Sequence, residues 1–206
     1  MAKVQITNGD STHAHVTSDQ ELSVIPTPYP PFGEQKIQPL RQYFTLDGTP
    51  SGNFDMGVDG SATPVDFCIP AHPFNDRYIT SINFIIGYGT SGAPYQWADG
   101  TALTNGIRLF YENLHGEHDI HDGIKTNQDM FRLSFSPIPA AWEVRHVNAN
   151  NDFGYFTAMD LTRMGLPYGI KMDAGSTQKL VVTIQDNAGL AADSFNAIGY
   201  GFERFK

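Results

Sequence analysis

In the stretch LHGEHDIHDG, His115, His118 and His121 recur at every third residue, interleaved with Glu117, Asp119 and Asp122. Imidazoles beside carboxylates could hold zinc or another divalent cation. Only a loop would gather all three histidines. Gly116 and Gly123 argue against a helix, and on a strand steps of three alternate faces, so that His115 and His121 share a side and His118 opposes them. We read the run as a polar loop between strands. His115, His118 and His121 are the candidate metal ligands, and no cofactor is expected.

A second constellation lies in INFIIGYGTSGAPYQW, where Gly87, Gly89 and Gly92 form G-x-G-x-x-G after an apolar run. Glu112 follows at about the 20-residue distance of a ribose-binding acid. A dinucleotide fingerprint needs a helix to start within the glycine turn and hold the pyrophosphate. Here Asp99-Gly100 interrupts too early, no apolar stripe at i, i+3, i+4 follows, and the next strand, GIRLFYE, comes too soon for a crossover. These glycines are read as loop.

Other chemistry is thinly supported. The carboxylate pairs Asp55/Asp59, Asp119/Asp122 and Asp186/Asp193 include none singled out as a glycosidase acid and base. NFDMGVDGS lacks the spacing and terminal Glu of an EF-hand. There is no G-x-S-x-G elbow and no G-x-x-x-x-G-K-[ST] loop. Cys68, the one cysteine, rules out an intrachain disulfide framework and reads as a buried, unreactive thiol. His13 and His15 decorate the N-terminal segment. Tyr29, Phe32, Tyr95 and Trp97 lie in proline-glycine loops, either as lids on a core or as anchors at an interface. No catalytic residue is assigned, and the chain is expected not to be an enzyme.

The elements that would position these residues are strands. Hydrophobic residues make up 40% of the 206, charged residues 17%, and 20 glycines and 13 prolines supply turns. Alternation is clean at Val65, Phe67 and Ile69; at Tyr78, Thr80, Ile82, Phe84 and Ile86; at Ile107, Leu109 and Tyr111; at Phe131, Leu133 and Phe135; at Trp142 and Val144; and at Leu180, Val182 and Ile184. Each run is expected to bury one face and wet the other. With weaker runs at FGYFTAMDL, YGIKM and FNAIGYGFERF, about nine strands are expected, with turns at Asp99-Gly100, Asn105-Gly106 and Asp122-Gly123. The fold class is all-β, an antiparallel β-sandwich of jelly-roll type over residues 61–206. Residues 1–60 are expected to form an extended arm and turn-rich segment. The five prolines between Pro26 and Pro39 exclude a central strand there. Pro26, Pro28, Tyr29, Pro30, Pro31 and Phe32 are its candidate contact residues.

The net charge of −9 argues against a nucleic-acid partner. The N-terminus carries no signal-peptide core and no segment approaches a membrane span, so synthesis in a cytoplasm and no membrane partner are expected.

The runs RQYFTLDGTPSGNFDMGVDGSATPVDFCIPA and RYITSINFIIGYG and the ending FNAIGYGFERF resemble a group of tailed-bacteriophage virion structural proteins, the β-sandwich head decoration or cement proteins. In that group a turn-rich segment resembling DMGVDGS precedes the first core strand, here Val65 to Ile69. The resemblance implies a protein made in the host bacterial cytoplasm and located in the virion. It implies contacts with the major capsid protein and with copies of itself, a homo-oligomer with a trimer placed first. Its function would be to bind across capsid subunits and stabilise the head shell. A tail, neck or fibre-attachment component that binds a host surface is the alternative within the virion. A carbohydrate-binding sandwich using Trp97 or Trp142 as a stacking platform is a third, more distant one.

Overall fold

Residues 15–16, 22–23, 36–89, 92–132, 153–164 and 166–205 are described by the computed structural model. The chain divides into two units, Met1–Lys36 and Ile37–Lys206. In the first, β1 (His15–Val16) pairs antiparallel with β2 (Leu22–Ser23). The expected contact residues Pro26, Pro28, Tyr29, Pro30, Pro31 and Phe32 lie outside the described residues.

The second unit is an all-β antiparallel sandwich, as the alternation predicts. Its strands are β3 (Ile37–Tyr43), β4 (Val65–Pro70), β5 (Asn75–Tyr88), β6 (Ile107–Asn113), β7 (Gly116–Ile124), β8 (Phe153–Asp160), β9 (Ile170–Met172), β10 (Lys179–Ile184) and β11 (Ser194–Phe205). One sheet runs β4-β10-β6-β7 and the other β3-β11-β5-β8, with β9 also along β5. The pairings are nested: β6 with β7, β5 with β8, β4 with β10, and β3 with β11. The second unit is thus a long hairpin folded on itself.

One core lies between the sheets. Phe67 and Ile69 from β4, Leu109 from β6, and Leu180 and Val182 from β10 meet Ile82, Phe84 and Ile86 from β5 and Phe195 from β11. Full burial of each aliphatic or aromatic side chain contributes about 1.5–3 kcal/mol. The approach is close: a Cβ on Gly199 of β11 would stand 2.6 Å from Ile69 Cδ1 on the opposite sheet.

Four expectations are corrected. First, the sandwich begins at Ile37, not near residue 61. β3 pairs with β11, and Phe44 and Met56 are fully buried. Pro39 is accommodated because β3 is an edge strand. The turn formers that read as an arm hold a seam to the domain. Asp47, Asn53, Asp55 and Asp59 each accept the backbone N–H two residues on, at 2.9–3.1 Å, and Met56 N donates to Phe195 O at 2.7 Å.

Second, MFRLSF does not open as a strand: Asn127–Arg132 is a short helix, α1. Thr126 and Asp129 cap it reciprocally, Asp129 N donating to Thr126 Oγ1 and Thr126 N to Asp129 Oδ2, both at 3.1 Å. Leu133 and Phe135, like Trp142 and Val144, lie outside the described residues.

Third, the β5 alternation changes phase. Ser81 pairs with Tyr200 and Ile79 with Gly201, leaving Thr80 as an extra residue in a β-bulge. Ile82, Phe84 and Ile86 face the core as expected. Beyond the bulge Ile79 takes the core face, and Tyr78 stacks on Phe202 at 4.6 Å.

Fourth, β10 is buried on both faces: Val181 is fully buried as well as Leu180, Val182 and Ile184. On the outer face its cross-strand neighbour Phe110 is 2% exposed, beneath the Arg108 guanidinium at 4.4 Å.

Candidate functional site

The histidine run is an edge strand rather than a loop. β7 covers Gly116–Ile124 and only His115 falls in the turn before it. Asp122-Gly123 is inside the strand, where Gly123 takes φ 75° beside a register irregularity. Ile120 is an extra residue, so His118 and His121 come to register across from Tyr111 and Leu109. That places His118 on the side of His121, where simple alternation would oppose them. Their partners are local: His118 Nε2 is 3.2 Å from Asn113 Oδ1, and its ring lies 6.5 Å from that of Tyr111. Glu117 and Asp119 are taken by Arg108 at 2.7 and 2.6 Å. Among the described residues no group of three or more His, Cys, Asp or Glu could hold a metal ion. Charge and bulges on an edge strand hinder its pairing with a foreign strand.

The glycines of INFIIGYGTSG are structural. Gly87 lies in β5, and α1, the one α-helix among the described residues, begins only at Asn127. A Cβ on Gly92 would stand 1.9 Å from Ala98 O, so only glycine fits there. The fully buried Asn127 clips this loop: its amide donates to Ala93 O at 3.0 Å and Ala98 O at 2.7 Å and accepts from Ala98 N at 2.8 Å. Trp97 is 1% exposed, donates Nε1–H to Ala188 O at 2.8 Å and lies edge-on to Phe195. It is a core residue and offers no stacking platform. Tyr95, two residues away, is 72% exposed. Tyr29, Phe32, Trp142 and His13 lie outside the described residues.

Beside this loop is a surface cleft of about 230 Å³, lined by Ser61, Thr101, Thr104, Asp186, Asn187 and Leu190 among others. Asp186 Oδ2 accepts Asn105 N at 2.8 Å and Gly106 N at 2.6 Å, and Oδ1 accepts Asn105 Nδ2 at 3.2 Å. This carboxylate holds the Asn105-Gly106 turn. Asp55 and Asp59 are likewise engaged with the backbone, and hydrogen bonds from Ser61 hold the Asp59 carboxyl below its ordinary range. Cys68 is half-buried, and burial pushes its thiol up. A low-pKa thiolate is the form that attacks, so this thiol is poorly placed as a nucleophile.

Two arginines stand out, one inside and one outside. Arg77 and Glu203 form a buried ion pair at 2.7 Å. Arg77 Nη1 donates to Pro70 O at 2.7 Å, and Gln38 Nε2 and Asn75 Nδ2 donate to Glu203 at 2.7 and 3.2 Å. Every charge there is met, which makes the pair a structural lock. Arg41 is exposed on the outer face of the five-stranded sheet. Its Nε is 3.4 Å from the Tyr200 hydroxyl, its Nη2 3.4 Å from that of Tyr43, and its guanidinium lies 5.3 Å from the Tyr43 ring centre. Phe54 packs on Tyr43 at 4.5 Å.

Sequence reasoning grouped none of these partners, because Arg41 and Tyr200 are 159 residues apart. A proline-bearing strand followed by aromatic residues is the nearest sequence signal. Comparison of the chain with family models, with curated proteins and with solved structures finds no match.

Proposed function

We propose that this chain is a structural component of a tailed-phage particle, a decoration or cement protein that binds across capsid subunits and stabilises the head shell. The observation that carries the reading is the nested pairing of β3 with β11, β4 with β10, β5 with β8 and β6 with β7. We read this nesting as jelly-roll-like, an architecture that viral capsid domains use. The resemblance of the turn-rich segment and of the ending FNAIGYGFERF to virion proteins points the same way. Asp186 beside the cleft, Asn127 under the glycine loop and the buried ion pair are engaged in holding the fold, whereas aromatic residues and Arg41 are offered outward. Tyr, Phe and Arg are enriched where proteins meet.

Binding the expanded shell in preference to any looser state would stabilise it by mass action. The partners are the major capsid protein and further copies of this chain, and the acidic charge suits the outside of a shell rather than the DNA within. Quantitative mass spectrometry of purified virions against the major capsid protein tests this. Near-stoichiometric abundance is expected. A few copies per particle would move the protein to the neck, tail or fibre, and its absence from virions would refute the reading.

A further inference from the structure

The edge strand β3 and its neighbour β11 present an aromatic strip on the outer face of the five-stranded sheet. Tyr43 is paired across from Ile198, Arg41 from Tyr200, Pro39 from Phe202 and Ile37 from Arg204. Gln42 and Phe44 point inward and are buried, so the odd-numbered residues of β3 share the outer face. Ile37 and Phe54 are each 45% exposed. Arg77, Arg108 and Arg204 have carboxylates at 2.7, 2.6 and 3.9 Å, while Arg41 has none among the described residues. It is held by two tyrosine hydroxyls over a ring. The hydrogen bonds it donates to those hydroxyls, Tyr200 first, hold its pKa above the ordinary arginine value. A guanidinium so oriented is a fork prepared for a carboxylate.

A complementary surface exists on the other sheet of the same molecule. Leu114, at the tip of the β6–β7 hairpin, is 87% exposed, more than any other large apolar residue described. Glu112 is held by Lys179 of β10 at 2.9 Å, which leaves Glu117, Asp119 and Asp122 on the hairpin against the single Arg108. Glu117, three residues from Leu114, has a half-exposed side chain, and Arg108 engages only its Oε2. An apolar knob beside surplus negative charge matches an aromatic strip bearing an unneutralised arginine.

We propose that the β6–β7 hairpin of one copy seats on the Arg41 strip of the next, with Leu114 against the rings of Tyr43 and Phe54 and Glu117 on the Arg41 guanidinium. The proposal rests on the reading above only in taking copies of this chain as partners. The two patches differ, so the contact is heterologous: repeated, it closes a ring or extends a chain.

The test is analytical ultracentrifugation of the purified full chain over a concentration series, with circular dichroism to verify that each variant stays folded. The wild type is expected to self-associate. Arg41→Glu and Leu114→Asp should each weaken association by about 30-fold or more, the scale of an interface hot spot. Combining Arg41→Glu with Glu117→Arg in one chain should restore most of it. A wild type that stays monomeric at hundreds of micromolar overturns the proposal, and so does an oligomer indifferent to both single variants. A monomer that attaches to particles only when Arg41 is present would assign the strip to the shell protein and also overturn it. An Arg41-dependent oligomer missing from virions would leave this contact standing and sink the virion reading instead.

Discussion

Replacing Glu203 by glutamine keeps the shape of the side chain and removes its charge, which isolates what the buried pair with Arg77 contributes. Glu203 is 3% exposed and Arg77 7%. Oε1 accepts from Arg77 Nε at 2.7 Å, and Oε2 accepts from Gln38 and Asn75. A glutamine amide has one acceptor oxygen. Whichever way it turns, its NH₂ faces either the guanidinium or two side-chain donors. Leaving a buried charge without its partner costs about 3–5 kcal/mol. In a domain of this size about 2–4 °C accompanies each kcal/mol, so the melting temperature should fall by about 6–20 °C.

The acid limb should change as well. Burial pushes the Glu203 carboxyl up, but hydrogen bonds from Arg77, Gln38 and Asn75 more than offset this and hold it below the ordinary value. The unfolded chain therefore takes up this proton at higher pH than the native one. The contribution is complete above the unfolded value of about 4.3 and is lost as pH falls through the native value. Glu203→Gln should flatten that part of the stability profile. Urea unfolding followed by tryptophan fluorescence at several pH values reads both effects. A cost below about 1 kcal/mol with an unchanged acid limb would refute the reasoning, since losing a locked charge partner should cost several times that.

Glycine positions give a graded comparison by chemical denaturation. A Cβ on Gly201 would stand 1.8 Å from Tyr78 O, whereas one on Gly116, at φ 108°, meets nothing within 4 Å. Gly116→Ala should therefore cost only about 1–3 kcal/mol of backbone strain, and Gly201→Ala clearly more; equal costs would deny the close approach at the bulge. The Cys68 thiol, raised by burial, should react with a disulfide reagent far more slowly in native protein than in urea, and equal rates would contradict its placement. Substituting His115, His118 and His121 together by glutamine should leave the melting temperature within about 2 °C of wild type, on the scale of exposed substitutions. A large fall reproduced by EDTA treatment of the parent would establish a metal there.

Strand periodicity was readable where a strand is regular and buried on one side. Phe67 and Ile69, and Leu180, Val182 and Ile184, all reach the core from alternation alone. It misled at Thr80, because a bulge leaves no mark in the hydrophobic pattern yet moves Ile79 inward and Tyr78 outward. β7 resembles a loop in sequence because an exposed edge strand needs charge more than apolar alternation. Thr126 and Asp129, by contrast, spell a helix cap that is legible in the sequence. The domain boundary is hidden in the sequence for a related reason. Residues 45–61 are rich in turn formers because successive Asp and Asn side chains bind the backbone, and that chemistry looks the same in a free arm and in a seam carrying a buried Met56. The Arg41 strip was out of reach, being made by residues that only the folded sheet brings together.

A hairpin of hairpins zips from the inside. β6 and β7 meet across a tight turn, while each further pair must close a longer stretch of chain, up to the 159 residues between Arg41 and Tyr200. Folding rates fall as contacts become more distant in sequence, so docking of β11 is expected late and should limit the rate. Until it arrives, β3 has no strand partner and one flank of β5 lies open, the condition in which β-proteins aggregate. The strand that ends this exposure also supplies Tyr200, which orients Arg41. A copy caught half-folded cannot display the completed strip, so under the proposed contact assembly would wait on the last step of folding.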